Sequence, residues 1–197
     1  MYSLPESAEK LIDEFAKLPG VGKKTAQRLT FFILKNGKQD ALDLSKALVD
    51  LKEKITHCDD CFGISESALC AICSDPGRDN NILCVVENAY DVIVFEKTNG
   101  FKGRYHVLGG TLSPLDGVGP DDLRIQELIA RVRPQMEVVL AINPSIEGET
   151  TSLYLSKVLS GKNIQLSRLA RGIPVGSDLG YIDSATLTRA MEGRISV

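Results

Sequence analysis

Residues 83–120 read LCVVENAYDVIVFEKTNGFKGRYHVLGGTLSPLDGVGP, and this stretch decides the fold. Its opening, with Asn81 and Ile82 before it, is a short β-branched apolar run at 82–86, the pattern of a strand buried on both faces. A helix-like segment at 90–97 follows, then a second strand at 104–108. Gly109-Gly110 and the Pro/Gly-rich run 113–120 form a loop. Outward toward the C-terminus the alternation continues. Asp121-Asp122 are expected to open a helix through residue 132, their charges favourable at a helix N-terminus. A strand at 137–142, a helix at 149–159 and a strand at 164–169 complete the series, which predicts a parallel sheet flanked by helices. A Gly/Pro-containing tail from 171 ends in a short helix near 185–191.

Outward in the other direction the composition changes. Residues 57–74 hold Cys58-x2-Cys61 and Cys70-x2-Cys73 in a segment with few large apolar residues. Each pair presents two thiolates from a tight turn, and two pairs complete a tetrahedral four-sulfur site with no open position, which makes it structural. Binding of Zn2+ by such peptides contributes on the order of 10–16 kcal/mol, far above what this loop gains by burial. The competing reading is two unrelated or redox-active thiol pairs. Cys84, inside the 82–86 run, reads as a small buried hydrophobe. His57 and His106 are lone histidines read as structural.

The first fifty-odd residues read as helical. Pro5 suits a first turn, and Ala8, Leu11, Ile12 and Phe15 make an apolar stripe. A second helix at 23–34 places Ala26, Leu29 and Ile33 on one face; a third at 40–55 is expected to turn Leu44, Leu48 and Leu51 inward. Between the first two lies LPGVGKKTAQRL, residues 18–29. Gly20 and Gly22, with Val21 between them, let backbone approach a phosphate, and amides at the second helix's start point outward as donors. Lys23, Lys24 and Arg28 add charge-assisted contacts in or beside that turn. Such contacts grip the sugar-phosphate chain without reading bases. The alternative is a plain helical turn with a solvated basic face.

The chain has 197 residues and a formal net charge of −3, with 43% hydrophobic and 25% charged residues, the composition of a globular protein. Overall acidity argues weakly against coating DNA by bulk charge, but the charge is segregated. Residues 17–38 contain six basic side chains and no acidic one, whereas 87–149 is rich in carboxylates. No apolar run is long enough for a membrane helix, and the acidic N-terminus does not read as a secretory signal. A cytoplasmic, nucleoid-associated location is the expectation.

The strand-end acids carry the last motif. Glu87 closes LCVVE, and NPSIEGE, residues 143–149, follows the strand at 137–142. Functional groups gather at carboxyl ends of parallel strands, so Glu87, Glu147 and Glu149 are expected to share a pocket able to hold Mg2+ or dock a partner. Residues 18–29 resemble the helix-hairpin-helix of DNA-binding proteins. The strand-end layout resembles the Toprim domain of topoisomerases and primases, which has a glutamate after its first strand and Asp-x-Asp before Gly-Glu after a later one. Here Asn143 and Ser145 stand at the two aspartate positions, so a two-metal phosphoryl-transfer site would lack much of its charge.

Taken in order, residues 18–29, the four cysteines, 83–120, 143–149 and RLARGIPVGSDLGYID at 168–183 resemble the bacterial RecR family over nearly the whole chain. The resemblance implies a multi-module α/β chain: a helix-hairpin-helix module at 1–56, a four-cysteine zinc finger at 57–79, a Toprim-like parallel α/β domain at 80–172, and an oligomerisation segment at 173–197 packing on a neighbouring subunit. It further implies a non-enzymatic recombination mediator, a homotetrameric ring that clamps DNA through Gly20–Arg28 and acts with RecO and RecF to load RecA at gaps coated by single-strand-binding protein. The area around Glu87, Asn143, Glu147 and Glu149 would be an acidic Toprim site for Mg2+ or RecO docking. The alternative is a Mg2+-dependent Toprim-type DNA-processing enzyme.

Overall fold

A computed structural model describes residues 4–195, which divide at Ile55/Thr56 into two units. The first unit is helical. Helix α1 (Glu6–Ala16) buries Ile12, and α2 (Lys23–Lys35) buries Ala26 and Thr30. The methyl of Ala26, fully buried, is small enough to let the two helices pack closely. Helix α3 (Lys38–Lys54) buries none of its residues. Leu44, Leu48 and Leu51 are 43%, 58% and 57% exposed, so the expected inward stripe lies on the surface. The periodicity marks an apolar face correctly, but no described element within this unit covers it.

The second unit begins with the cysteine segment. Strands β1 (Thr56–His57) and β2 (Ile64–Ser65) pair antiparallel, and a one-turn helix, α4 (Ala71–Ser74), follows. Then come β3 (Asp79–Val86), α5 (Ala89–Glu96), β4 (Gly103–Val107), α6 (Ile125–Arg131), β5 (Glu137–Ala141), α7 (Ile146–Leu159), β6 (Gln165–Arg168) and α8 (Ser184–Glu192). The four long strands form one parallel sheet in the order β4-β3-β5-β6. Alternation along β3 sends Leu83 and Val85 to one face and Cys84 and Val86 to the other. The first face packs with Val138, Leu140, Leu128, Ile125, Leu155 and Leu159. The second packs with Tyr105, Val107 and Val92, with Phe62 and Ile72 of the cysteine segment against it. That segment is therefore part of the same apolar core as the sheet.

Two boundaries differ from expectation, each for a local reason. The helix expected from Asp121 is a 3₁₀ turn at Pro120–Asp122, then a break, then α6. The chain straightens at Leu123, which is buried, and the Arg124 N–H donates to the Leu108 carbonyl at 2.9 Å. Helix α7 starts at Ile146 and not at Glu149, because Ser145 caps it: its Oγ accepts from the Gly148 N–H at 3.0 Å. A serine at this position supplies one of the acceptors a helix start lacks. No described helix is long and apolar enough to cross a membrane.

Candidate zinc centre and nucleic-acid interface

The four cysteines converge. Their Sγ atoms lie within 4.8 Å of one another, and Cys58, Cys61 and Cys73 are buried. The Cys61 and Cys70 sulfurs are 3.6 Å apart, close to the edge of about 3.8 Å that a tetrahedron with Zn–S near 2.3 Å requires. Backbone amides support the sulfurs: Gly63 N–H points to Cys61 at 3.4 Å, Cys70 N–H to Cys58 at 3.3 Å and Cys73 N–H to Cys70 at 3.5 Å. Such donors fix ligand direction and favour the thiolate. Hydrogen bonding by the Cys73 thiol is the main cause that lowers Cys61 to about 5, and the same bond pushes Cys73 up. Four sulfurs with no carboxylate or imidazole among them are a structural zinc donor set. Zn2+ here would hold the finger's turns together and supply no open coordination position.

The finger is tied to the sheet by polar and apolar contacts. Val107 N–H on β4 donates to the Cys61 carbonyl at 2.8 Å. Arg131 donates to Asp60 at 3.0 Å and to the Tyr105 carbonyl at 2.8 Å. Phe62 meets the His106 ring edge-on at 5.5 Å, and the Arg124 guanidinium lies over the Phe62 ring, 5.2 Å from its centroid. Phe62 adopts a φ of 62°, an uncommon backbone state for a bulky residue that the surrounding contacts must hold. His106, fully buried, contacts the Arg124 carbonyl at 2.7 Å through Nε2 and the Arg131 guanidinium at 3.1 Å through Nδ1. Arginine only donates, so the ring is neutral with its proton on Nε2. None of these partners was legible from spacing; Arg131 and Asp60 are 71 residues apart.

In the helical unit, Gly20 has a φ of +77°, the left-handed region that glycine enters freely. Gly22 precedes α2 in extended conformation without a side-chain cap, and the first intrahelical bond runs from Ala26 N–H to the Gly22 carbonyl at 3.0 Å. The amides of Lys23, Lys24 and Thr25 consequently have no intrahelical acceptor. No acidic residue lies in that first turn. Lys23, Lys24 and Arg28 are exposed and form no ion pair among the described residues. The sequence-predicted residues Gly20, Val21, Gly22, Lys23, Lys24 and Arg28 thus sit together at one turn.

The strand-end carboxylates do not. The strand order reverses between β3 and β5, and Glu87 and Asn143 follow those two strands at the switch point. Glu87 is 8% exposed and both its oxygens accept from Asn143, one from the backbone N–H and one from Nδ2, each at 2.8 Å. Glu147 is exposed on the first turn of α7. Glu149 turns instead to Arg171 of the tail, with Arg168 at 3.8 Å, and the Arg171 hydrogen bond holds its carboxyl below the usual range. The Mg2+-holding grouping expected of Glu87, Glu147 and Glu149 is therefore not formed among the described residues. Among the described residues, the side chains that converge as a metal-binding group are the four cysteines.

A parallel α/β domain with a glutamate at its switch point, a four-cysteine finger seated on its sheet and a separate basic helical hairpin defines a multi-module Toprim protein. Comparison with known families gives the same division: models for the RecR helix-hairpin-helix, the RecR four-cysteine zinc finger domain, the Toprim domain and the RecR C-terminal region match residues 8–52, 55–75, 81–170 and 172–195. Recombination protein RecR of Chlorobaculum parvum is 52% identical over 198 residues, spanning 97% of each chain. That of Chloroherpeton thalassium is 55% identical over 196 residues, 95% of this chain and 96% of its own. The chain belongs to the RecR family, and its four-cysteine finger is a structural zinc site.

Proposed function

We propose that this protein is a DNA-binding mediator of recombinational repair that holds a strand without performing chemistry on it. The observation that carries the reading is the α2 turn: free amides at Lys23, Lys24 and Thr25 beside three exposed, unpaired cations. Amides and a helix dipole favour a phosphate oxygen, and the cations release counterions on binding. The Glu87 carboxylate supports the non-catalytic half, since Asn143 occupies both of its oxygens where a metal-binding Toprim site needs them free. In this role the protein acts as a tetrameric ring, with RecO and RecF, to bring RecA onto gapped DNA. The uncovered apolar face of α3 supports assembly through the helical unit, and several weak hairpins in one ring multiply affinity.

Fluorescence anisotropy with a labelled oligonucleotide tests the grip. Lys23→Ala with Arg28→Ala should weaken binding at least about tenfold and reduce the salt slope by about 2. Unchanged affinity removes the hairpin from the mechanism. Incubation of supercoiled and gapped DNA with Mg2+ or Mn2+ tests the second half: turnover abolished by Glu87→Gln would establish an enzyme instead.

A further inference from the structure

At the amino ends of the parallel strands, opposite Glu87 and Asn143, a half-open cavity of about 280 Å³ lies between the finger and the sheet. Arg104, Arg131, Arg133 and Asp60 are its charged lining residues. Arg131 has a structural explanation, because its donors go to Asp60, the Tyr105 carbonyl and His106. The other two keep donors without a partner among the described residues. Arg104 reaches Asp60 only at 3.7 Å, beyond a hydrogen bond, and its Nε is buried with no partner in the protein. Arg133 donates from one nitrogen to the Asn80 carbonyl at 3.0 Å. A buried donor without an acceptor forfeits the hydrogen bond it had with water, at a greater cost when the group is charged.

We propose that this cavity is a binding site for a phosphate monoester. Three guanidinium groups against one carboxylate leave two uncompensated positive charges, which a phosphate dianion cancels and a carboxylate does not. A terminal phosphate also presents three acceptor oxygens to the forked donors of Arg104 and Arg133, a geometry in which arginine excels. Neutral His106 adds no charge to the site. The group is supplied by a phosphorylated strand end or by a free nucleotide; both offer the same dianion. The site stands independently of the α2 turn.

Zinc-loaded full-length protein is titrated by calorimetry with inorganic phosphate, a 5′-phosphorylated trinucleotide and its unphosphorylated counterpart. One saturable phosphate site per chain is expected, shared by the phosphorylated trinucleotide and not by the other. Stronger binding of the trinucleotide than of inorganic phosphate assigns the site to strand ends, and equal binding to free phosphates. Arg104→Gln and Arg133→Gln should each weaken phosphate about tenfold or more, with zinc content and melting temperature checking the fold; exposed Arg133 tolerates the change whatever Arg104→Gln does. Lys157→Ala, which removes an exposed cation of α7 outside the cavity lining, should leave phosphate binding unaltered. Absence of saturation, wild-type affinity in the Arg133 variant, or loss in the lysine variant would each overturn the assignment.

Discussion

His106 sits in the seam between finger and sheet with both ring nitrogens engaged, and burial is the main cause that pushes it down to about 4 from 6.5. A depressed pKa means the fold holds the neutral form while the unfolded chain takes up a proton first. The contribution is complete above pH 6.5 and is lost as pH falls toward 4, on the order of 3 kcal/mol across that window. Proton NMR of the ring should show a titration midpoint near 4; one near 6.5 would contradict the packing. Gly148 is a second sensitive residue. A Cβ there would lie 2.0 Å from the Asn143 carbonyl oxygen, a backbone atom that cannot move without opening the β5–α7 turn. Gly148→Ala should cost about 2–3 kcal/mol in urea unfolding, and an unshifted midpoint would remove this close approach. The sequence made NPSIEGE visible as a motif, but the reason for its glycine is a distance across the turn. The partners of Glu87 and Glu149 were hidden for the same kind of reason: they come from Asn143 and Arg171, 56 and 22 residues away.

At the scale of elements, what was legible followed what is local. Cysteine spacing is a short-range chemical constraint, and it located the finger. The β-branched runs of β3 and β5 carry their own period, as does the αβ alternation that pointed to the parallel sheet. Helix α3 shows the limit: a stripe says which face is apolar, while burial depends on what arrives to cover it. The finger depends on its ion in a way that can be measured at β4. Chelating zinc, or replacing Cys73 by Ser, should release the Cys61 carbonyl from Val107 N–H and raise exchange of that amide about tenfold or more. Unchanged protection at Val107 would mean that the finger holds its shape without metal.

Across the whole molecule, charge and apolar surface are unequally shared between the two units. The helical unit combines exposed cations at the α2 turn with exposed leucines along α3. If assembly uses that α3 face, Leu48→Glu should lower the mass in solution by at least half at micromolar concentration, as light scattering would read it; an unaltered mass would place the contact elsewhere. The α/β unit faces a different hazard. Strand β4 is an outermost strand; the Cys61 carbonyl meets its Val107 amide, and the Arg131 and Arg78 guanidinium groups reach its Tyr105 and Gly103 carbonyls. Bare strand margins invite pairing with other molecules. The metal therefore does more than fold a small loop: by keeping one acceptor in place it guards the margin, so zinc-starved copies should be the ones that clump.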